Sequence, residues 1–314
     1  MSCEADTQRA ELREGWERSA AGWSAGADRI RDSGMPVSNW MIEHLGLVPG
    51  QRLLELAAGP GDTGFLAAEL IKAAAPTPTS TLPPTPASDA EDRGGGPRES
   101  GTAGDGTLVC SDGADAMLEV ARQRAAKLGI ENVEFKRLEL EWIDLPTASV
   151  DAILCRWGFM LTVDPGTALG EARRVLRPGG RLALAVWDRS VHNLWATIPG
   201  QALVNLGLGE PRDPTGPGMF ALAAPGRLEE LLQSAGFVES LVETVEVGRR
   251  HPNLDDYLEE TLDLSRLFSE AFKGLSESQR AQVRSEIALL AAPYTEPDGS
   301  LRLPGRSLVA LAEA

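Results

Sequence analysis

The sequence predicts an α/β protein built around a mostly parallel β-sheet. Short apolar runs of strand length at 53–58, 107–110, 133–137, 150–155 and 181–187 are separated by stretches with helical character. Strands that alternate with helices assemble as right-handed βαβ units, with the sheet covered on both faces. In addition, the first run ends in a glycine-rich loop that opens a helix, and such junctions sit where open α/β sheets receive ligands.

The elements follow in order. Residues 7–30 are charged and carry Trp16 and Trp23 two helical turns apart, so one helix face holds both rings. A second short helix is expected over 38–45, a buried strand over 53–58 and a helix over 63–74. The composition then changes: 74–105 holds six prolines, five glycines and Leu82 as its one large apolar side chain. Such a stretch buries too little surface to offset its ordering entropy, so it reads as a disordered insertion. Regular structure resumes with a strand at 107–110, a helix at 114–128, strands at 133–137 and 150–155, a helix at 165–176 and a strand at 181–187. Beyond Trp187, 191–208 and 225–235 read as helices, 237–247 alternates as a strand, 253–290 reads as one long helical stretch and 300–314 as a last strand. Three parts are expected: a helical cap over 1–48, a nucleotide-binding core over 49–190, and lid helices with a closing strand pair over 191–314.

Composition bounds the function. The chain has 314 residues, 42% hydrophobic and 24% charged, as an ordinary globular protein does. The first 20 residues lack the basic start and apolar centre of a secretory signal, and no run approaches the roughly 20 apolar residues of a membrane helix. A cytoplasmic protein without a membrane partner is expected. Asp and Glu number 46 against 30 Lys and Arg, a net charge of −16, so the average field repels phosphate backbones and nucleic acid is not an expected partner. Cys3, Cys110 and Cys155 are widely spaced, as are His44, His192 and His251; neither set has disulfide or metal-ligand spacing, so no metal site is expected.

The strongest local signal is LLELAAGPGDTG, in which Gly59, Gly61 and Gly64 fit G-x-G-x-x-G between a strand and a helix. A nucleotide site of this kind also needs an acid about 20 residues on, to accept from ribose hydroxyls. Gly59 and Asp112 are 53 residues apart, and excising the 32-residue segment 74–105 leaves 21. Asp112 then takes the ribose position, with a helix N-cap as its bland alternative. Glu55, Asp62, Asp112, Glu139 and Glu141 all fall after strands and so gather at the carboxyl edge of the sheet. A pyrophosphate is held by bare N–H groups that nearby carboxylates would repel. An anionic crevice suits a cationic adenosine ligand without phosphates, namely S-adenosylmethionine.

At these stretches the chain resembles the class I S-adenosylmethionine-dependent methyltransferases, in particular the small-molecule group that includes the ubiquinone and menaquinone biosynthesis C-methyltransferases. LELAAGPGDTG resembles the family's acidic glycine loop, SDGADAML its second-strand acid, FKRLELEWIDLP its adenine turn, SVDAILCRWGFM its fourth strand, and EARRVLRPGGRLALAVW its helix, turn and fifth strand. The resemblance implies a Rossmann-like seven-stranded sheet, mostly parallel with an antiparallel last strand, under a helical lid. It implies that Glu55, Ala57, Gly59 and Gly61 meet the methionine end of the cofactor, Asp112 and Gly113 the ribose, and Glu139 with Leu140 the adenine, with Arg156 lining the same pocket. Trp16, Trp23, Trp157 and Trp187 would face a small-molecule methyl acceptor.

The departures from the family pattern are Ala57 at its first glycine, Glu139 at an Asp position with Glu141 as substitute, and the segment 74–105. Methyl transfer is an in-line displacement that draws heavily on alignment and requires no universal catalytic residue. If the acceptor is an oxygen or an acidic carbon, His192, just after the fifth strand, is the histidine placed to act as base. Two alternatives share the loop and the ribose acid: a nicotinamide-dependent oxidoreductase, and a protein that binds the adenosyl ligand without turnover.

Overall fold

The structure is a computed structural model that describes residues 3–72, 106–211 and 218–314. The expected insertion at 74–105 lies outside the described residues. Seven strands form one sheet: β1 (Arg52–Glu55), β2 (Thr107–Asp112), β3 (Val133–Arg137), β4 (Val150–Arg156), β5 (Leu176–Trp187), β6 (Glu239–Glu246) and β9 (Arg306–Glu313), in the order β3-β2-β1-β4-β5-β9-β6. The first five run parallel, and β9 lies antiparallel between β5 and β6. The chain order reverses between β1 and β4, which is where a doubly wound sheet opens its ligand crevice. The α/β class, the Rossmann-like sheet and the antiparallel last strand are as expected.

The central strands are buried on both faces: Leu53, Leu54, Leu108, Val109, Ile153, Leu154 and Leu182 to Val186 are all fully buried. Near-continuous apolar runs of this kind are what a parallel sheet between two helical layers requires. Helices α3 (Asp62–Ile71), α4 (Asp115–Leu128) and α5 (Pro165–Val175) cover the parallel strands. Helix α7 (Arg227–Ser234) leads into β6.

Two helices precede the sheet, α1 (Cys3–Ala25) and α2 (Ala27–Leu45). The stretch between the two expected helices, 31–37, is itself helical: α2 runs through Pro36, and the boundary with α1 falls at Gly26 instead. Pro36 lies on the exposed side of the helix, where a carbonyl left without its helical partner is the least costly. The opposite side, Ile30, Gly34, Val37, Met41 and Leu45, repeats at helical spacing and is buried, with Val37, Met41 and Leu45 in the main core.

After β5, helix α6 (Leu194–Asn205), α8 (Leu254–Leu264), α9 (Arg266–Lys273), α10 (Glu277–Ala291) and a two-stranded ribbon of β7 (Arg249–His251) and β8 (Leu301–Leu303) enclose a second core around Ile198, Leu203, Tyr257, Phe268, Val283 and Ile287. The stretch expected as one helix is thus three, each begun by its own cap: Asn253, Ser265 and Ser276 accept from backbone N–H groups of the helices that follow. Ser276 with Gln279 forms a reciprocal capping box. The expected last strand is likewise two, broken at Pro304–Gly305, because β8 pairs with β7 outside the main sheet. No helix among the described residues is long and apolar enough to cross a membrane.

Ser276→Ala removes the side-chain acceptor that satisfies the start of α10. It is expected to lower the unfolding free energy by about 1 kcal/mol, read as a shift in the urea midpoint with an unchanged slope.

Candidate functional site

Parallel strands deliver the residues that follow them to one edge. Glu55 ends β1, Asp112 ends β2, Leu138 to Glu141 follow β3, Arg156 ends β4 and Trp187 ends β5, and the antiparallel β9 brings Arg306 to the same edge. Glu55, Ala57, Gly59, Gly61, Asp112, Gly113, Glu139, Leu140 and Arg156, expected from the sequence to form one site, are brought together there.

The glycine loop is held by carboxylates. The Gly64 N–H donates to Glu55 Oε1 at 2.8 Å and the Gly59 N–H to Asp112 Oδ2 at 2.9 Å, while the Gly61 N–H donates to the Ala58 carbonyl. A methyl group on Gly64 would lie 2.2 Å from Glu55 Oε2, so only glycine fits the third position of the motif. Asp112 Oδ1 also accepts from the Ala114 N–H at 2.9 Å. Asp112 therefore ties the loop to the start of α4 rather than acting as the cap itself, which falls on Ala114. Ala57, at the family's first glycine, adopts the left-handed conformation with φ 50°. A Cβ there costs roughly 1–2 kcal/mol, and the surrounding loop imposes it.

Glu139 is exposed, and its carboxylate lies over Gly113, where a methyl group would be 3.1 Å from Glu139 Oε2. Glu141, the expected substitute for Glu139, is committed elsewhere: its Oε1 accepts from the Val163 and Asp164 N–H groups at 2.7 and 2.9 Å, and its Oε2 from Arg9 at 2.5 Å. Leu140 is half-buried against the main core near Gly158, beside Ala57.

Arg156 is a mostly buried cation among acids. Its Nη1 donates to Ser38 Oγ at 3.1 Å, and its Nη2 lies 3.7 Å from Asp62 Oδ2, whose other oxygen takes Arg124 at 2.5 Å. It packs where Gly34 of α2 leaves room. Trp157 follows in the left-handed conformation, φ 61°. Its ring lies between the Arg156 guanidinium, 4.8 Å from the centroid, and Trp187, stacked at 4.3 Å, and its indole N–H donates to Ser307. Trp157 and Trp187 are both buried in the main core. Trp16 and Trp23 are not brought to them; they meet edge to face at 5.7 Å and pack with Ala114 and Met117 on α4.

His192 sits beyond β5 with Nδ1 2.7 Å from Asp188 Oδ2. Arg306 also donates to Asp188 Oδ2, at 2.6 Å, and its Nη2 contacts both ring nitrogens of His192. Buried Asn193 ties this group down through the Asp188 and Arg306 carbonyls. Burial alone would push the Asp188 carboxyl up, but the Arg189 N–H, His192 and Arg306 outweigh it and hold it below its ordinary value.

The carboxylates of the loop go the other way. Desolvation pushes Glu55 up to about 8, against the opposing pull of the Gly64 N–H and Arg156. It likewise raises Asp112, which Glu139 and Glu17 push further while the Ala114 and Gly59 N–H groups oppose. Burial also lowers the Arg156 guanidinium, against Asp62 and Glu55. Among the described residues no group of three or more His, Cys, Asp or Glu side chains is arranged to hold a metal ion. Sequence reading missed Ser38, Asp188, Arg124 and Arg306, whose partners lie tens of residues away or carry no motif.

A family model described as a methyltransferase domain, Methyltransf_11, matches residues 94–184. The chain is 26% identical over 154 residues to the ubiquinone/menaquinone biosynthesis C-methyltransferase UbiE of Teredinibacter turnerae, covering 49% of each, and 25% identical over 218 residues to the methyltransferase tpcH of Aspergillus fumigatus, covering 65% of this chain and 73% of that one. The chain spans about half the length of the UbiE relatives it matches. In fold it is similar to the YcgJ protein of Bacillus subtilis, with a TM-score of 0.54 at 15% identity over 88% of this chain and 97% of that one.

Two expected outcomes follow from the loop. Because the folded state holds the Glu55 proton more tightly than the unfolded chain does, folding takes up a proton between pH 4.5 and about 8, so unfolding free energy falls as pH rises across that interval. Glu55→Gln keeps the acceptor for Gly64 and is expected to flatten that slope in urea titrations at successive pH values. Ala57→Gly, which frees the left-handed residue, is expected to stabilise the fold by about 1 kcal/mol in the same assay.

Proposed function

Starting from a chain of the class I S-adenosylmethionine-dependent methyltransferase family in sequence and fold, we propose that it transfers a methyl group from S-adenosylmethionine to a small organic acceptor. The observation that supports this reading most is the state of the loop: the N–H groups of Gly59, Gly61 and Gly64 all have acceptors within the protein, two of them carboxylates. A pyrophosphate needs those donors free and no anion beside them. An adenosyl ligand with ammonium and sulfonium groups needs neither. The residues therefore fit S-adenosylmethionine better than a nicotinamide dinucleotide.

When bound, this cofactor supplies a methyl group already activated by its sulfonium charge. The chain's part is to hold and orient. Glu55, with Ala57, Gly59 and Gly61, would form the methionine end; Asp112, whose two oxygens each hold one N–H and retain a free lone pair, would accept from the ribose hydroxyls beside Gly113. Glu139 and Leu140 would border the adenine, and Arg156 would face the carboxylate end from β4. Alignment of this kind accounts for a large part of the rate in displacement reactions.

For the acceptor, Trp157 and Trp187 offer an apolar wall under α2, while Trp16 and Trp23 would act through the position of α1. The helices over 1–48 and 191–314 would form the cap and lid around the core at 49–190. His192 would take a proton from an oxygen or carbon acid, oriented by Asp188 as a third group orients a base. Arg306 must then withdraw from the imidazole for a nitrogen to become free.

Calorimetric titration of the purified chain with S-adenosylhomocysteine, NADH and NADPH tests the reading. Micromolar binding of the homocysteine compound alone is expected, about tenfold or more weaker in Asp112→Ala. Preferential binding of a nicotinamide nucleotide would overturn it, and binding without turnover on any acceptor class would leave a ligand-binding protein. His192→Gln is expected to lower kcat, with the cofactor affinity unchanged.

A further inference from the structure

Helix α1 carries a stripe at helical spacing that lies on the loops after β2 and β3. Arg9 Nε meets Glu141 Oε2 at 2.5 Å, and Arg13 Nη1 meets Glu139 Oε1 at 3.2 Å. Glu17, one further turn along, accepts from the Asp115 N–H at 2.8 Å and the Ala116 N–H at 3.0 Å, so it caps the start of α4 from another helix. Residues 9, 13 and 17 share one face because i and i+4 do. The loops this face touches carry Asp112, Gly113 and Glu139, with Glu139 Oε2 beside Gly113.

The far end of α1 and the start of α2 are tied to the C-terminal helices. A methyl group on Gly22 would lie 3.0 Å from the Asp263 carbonyl, and Arg29 lies 3.9 Å from Glu260 Oε2 of α8. The α1–α2 pair therefore spans from the loops after β2 and β3 to α8.

We infer that α1 belongs to the ligand site, and that Arg9, Arg13 and Glu17 form an electrostatic clasp that closes its adenosine end. The inference rests on the reading that this edge takes S-adenosylmethionine. Three features carry it. Glu17 adds a third carboxylate to those of Asp112 and Glu139, which suits hydroxyl and amino donors and repels phosphate. Arg13 holds the exposed Glu139 side chain in one orientation over Gly113, so it is a positioning residue. Both arginine pairs bridge α1 to loops more than 120 residues away, so together with Glu17 on α4 they hold the helix across the edge. A ligand seated beneath α1 can leave only when those contacts part.

The experiment has two readouts on the whole chain and on Arg9→Ala/Arg13→Ala. Alanine keeps helix propensity, so a change reports the clasp and not the helix alone. In hydrogen exchange of the free protein, protection of the amides over residues 9–17 is expected to fall by up to about tenfold in the double variant. In stopped flow, dissociation of S-adenosylhomocysteine is expected to speed up by a similar factor. Raising salt from about 0.05 to about 0.5 M should speed release from the unaltered chain but not from the variant, since the exposed Arg13–Glu139 pair is screened. Arg9→Lys/Arg13→Lys should restore most of the slow release.

Unchanged exchange, or unchanged release and salt dependence, would overturn the clasp while leaving the proposed function intact. If the unaltered chain binds no S-adenosylhomocysteine, the proposed function falls and the gating role falls with it, whatever the exchange of α1 shows.

Discussion

The architecture of the ligand edge depends on one hydrogen bond, from the Gly64 N–H to the buried Glu55 carboxylate. It joins the end of β1 to the first turn of α3, closes the glycine loop over 55–64 and leaves no room for a side chain at 64. Once the loop is drawn in on one side by Glu55 and on the other by Asp112, its donors are taken. Those two acceptors leave the Gly59 and Gly64 N–H groups unavailable to a phosphate.

A buried carboxylate is costly unless its surroundings compensate. A chain of charges, Glu55 near Arg156, Arg156 near Asp62, Asp62 on Arg124, compensates only in part, and Glu55 holds its proton up to about 8. Arg156 is itself confined by Ser38, by the space at Gly34 and by the face of Trp157. That explains why a bulky residue keeps a left-handed backbone at 157: stacking on Trp187, the bond to Ser307 and the Arg156 contact together outweigh its strain. Helix α2 thus packs on Arg156 through Ser38 and Gly34, while α1 meets the loops after β2 and β3 through Glu17 and Arg13.

The second core gives the C-terminal helices a framework of their own, yet it meets the first through aromatic rings. Trp195 packs edge to face on Trp187 at 5.0 Å, and Arg249, buried and bonded to Glu260, stacks over Trp195 at 3.7 Å. A run of stacked groups therefore joins the edge of the sheet to the helices around it. Tyr257, Phe268 and Phe272 belong to this second core.

The sequence by itself determined the sheet, its parallel order and the residues of its edge, because each is set by local pattern. Apolar runs marked the strands, and the glycine loop marked the first junction. Asp112 became legible once 74–105 was taken out of the spacing, since a strand-end acid keeps its distance from the loop whatever is inserted between. Local pattern also carried the caps Ser265 and Ser276, although they were read through as one helix. The tertiary structure alone decided what lies against the edge. Arg13 meets Glu139 across 126 residues, and Glu17 meets the start of α4 across 98. Arg306 reaches Asp188 and His192 only because β9 returns antiparallel beside β5. Charged side chains in helices and loops have no periodicity that names their partners; only the packing of the helices on the sheet brings them together.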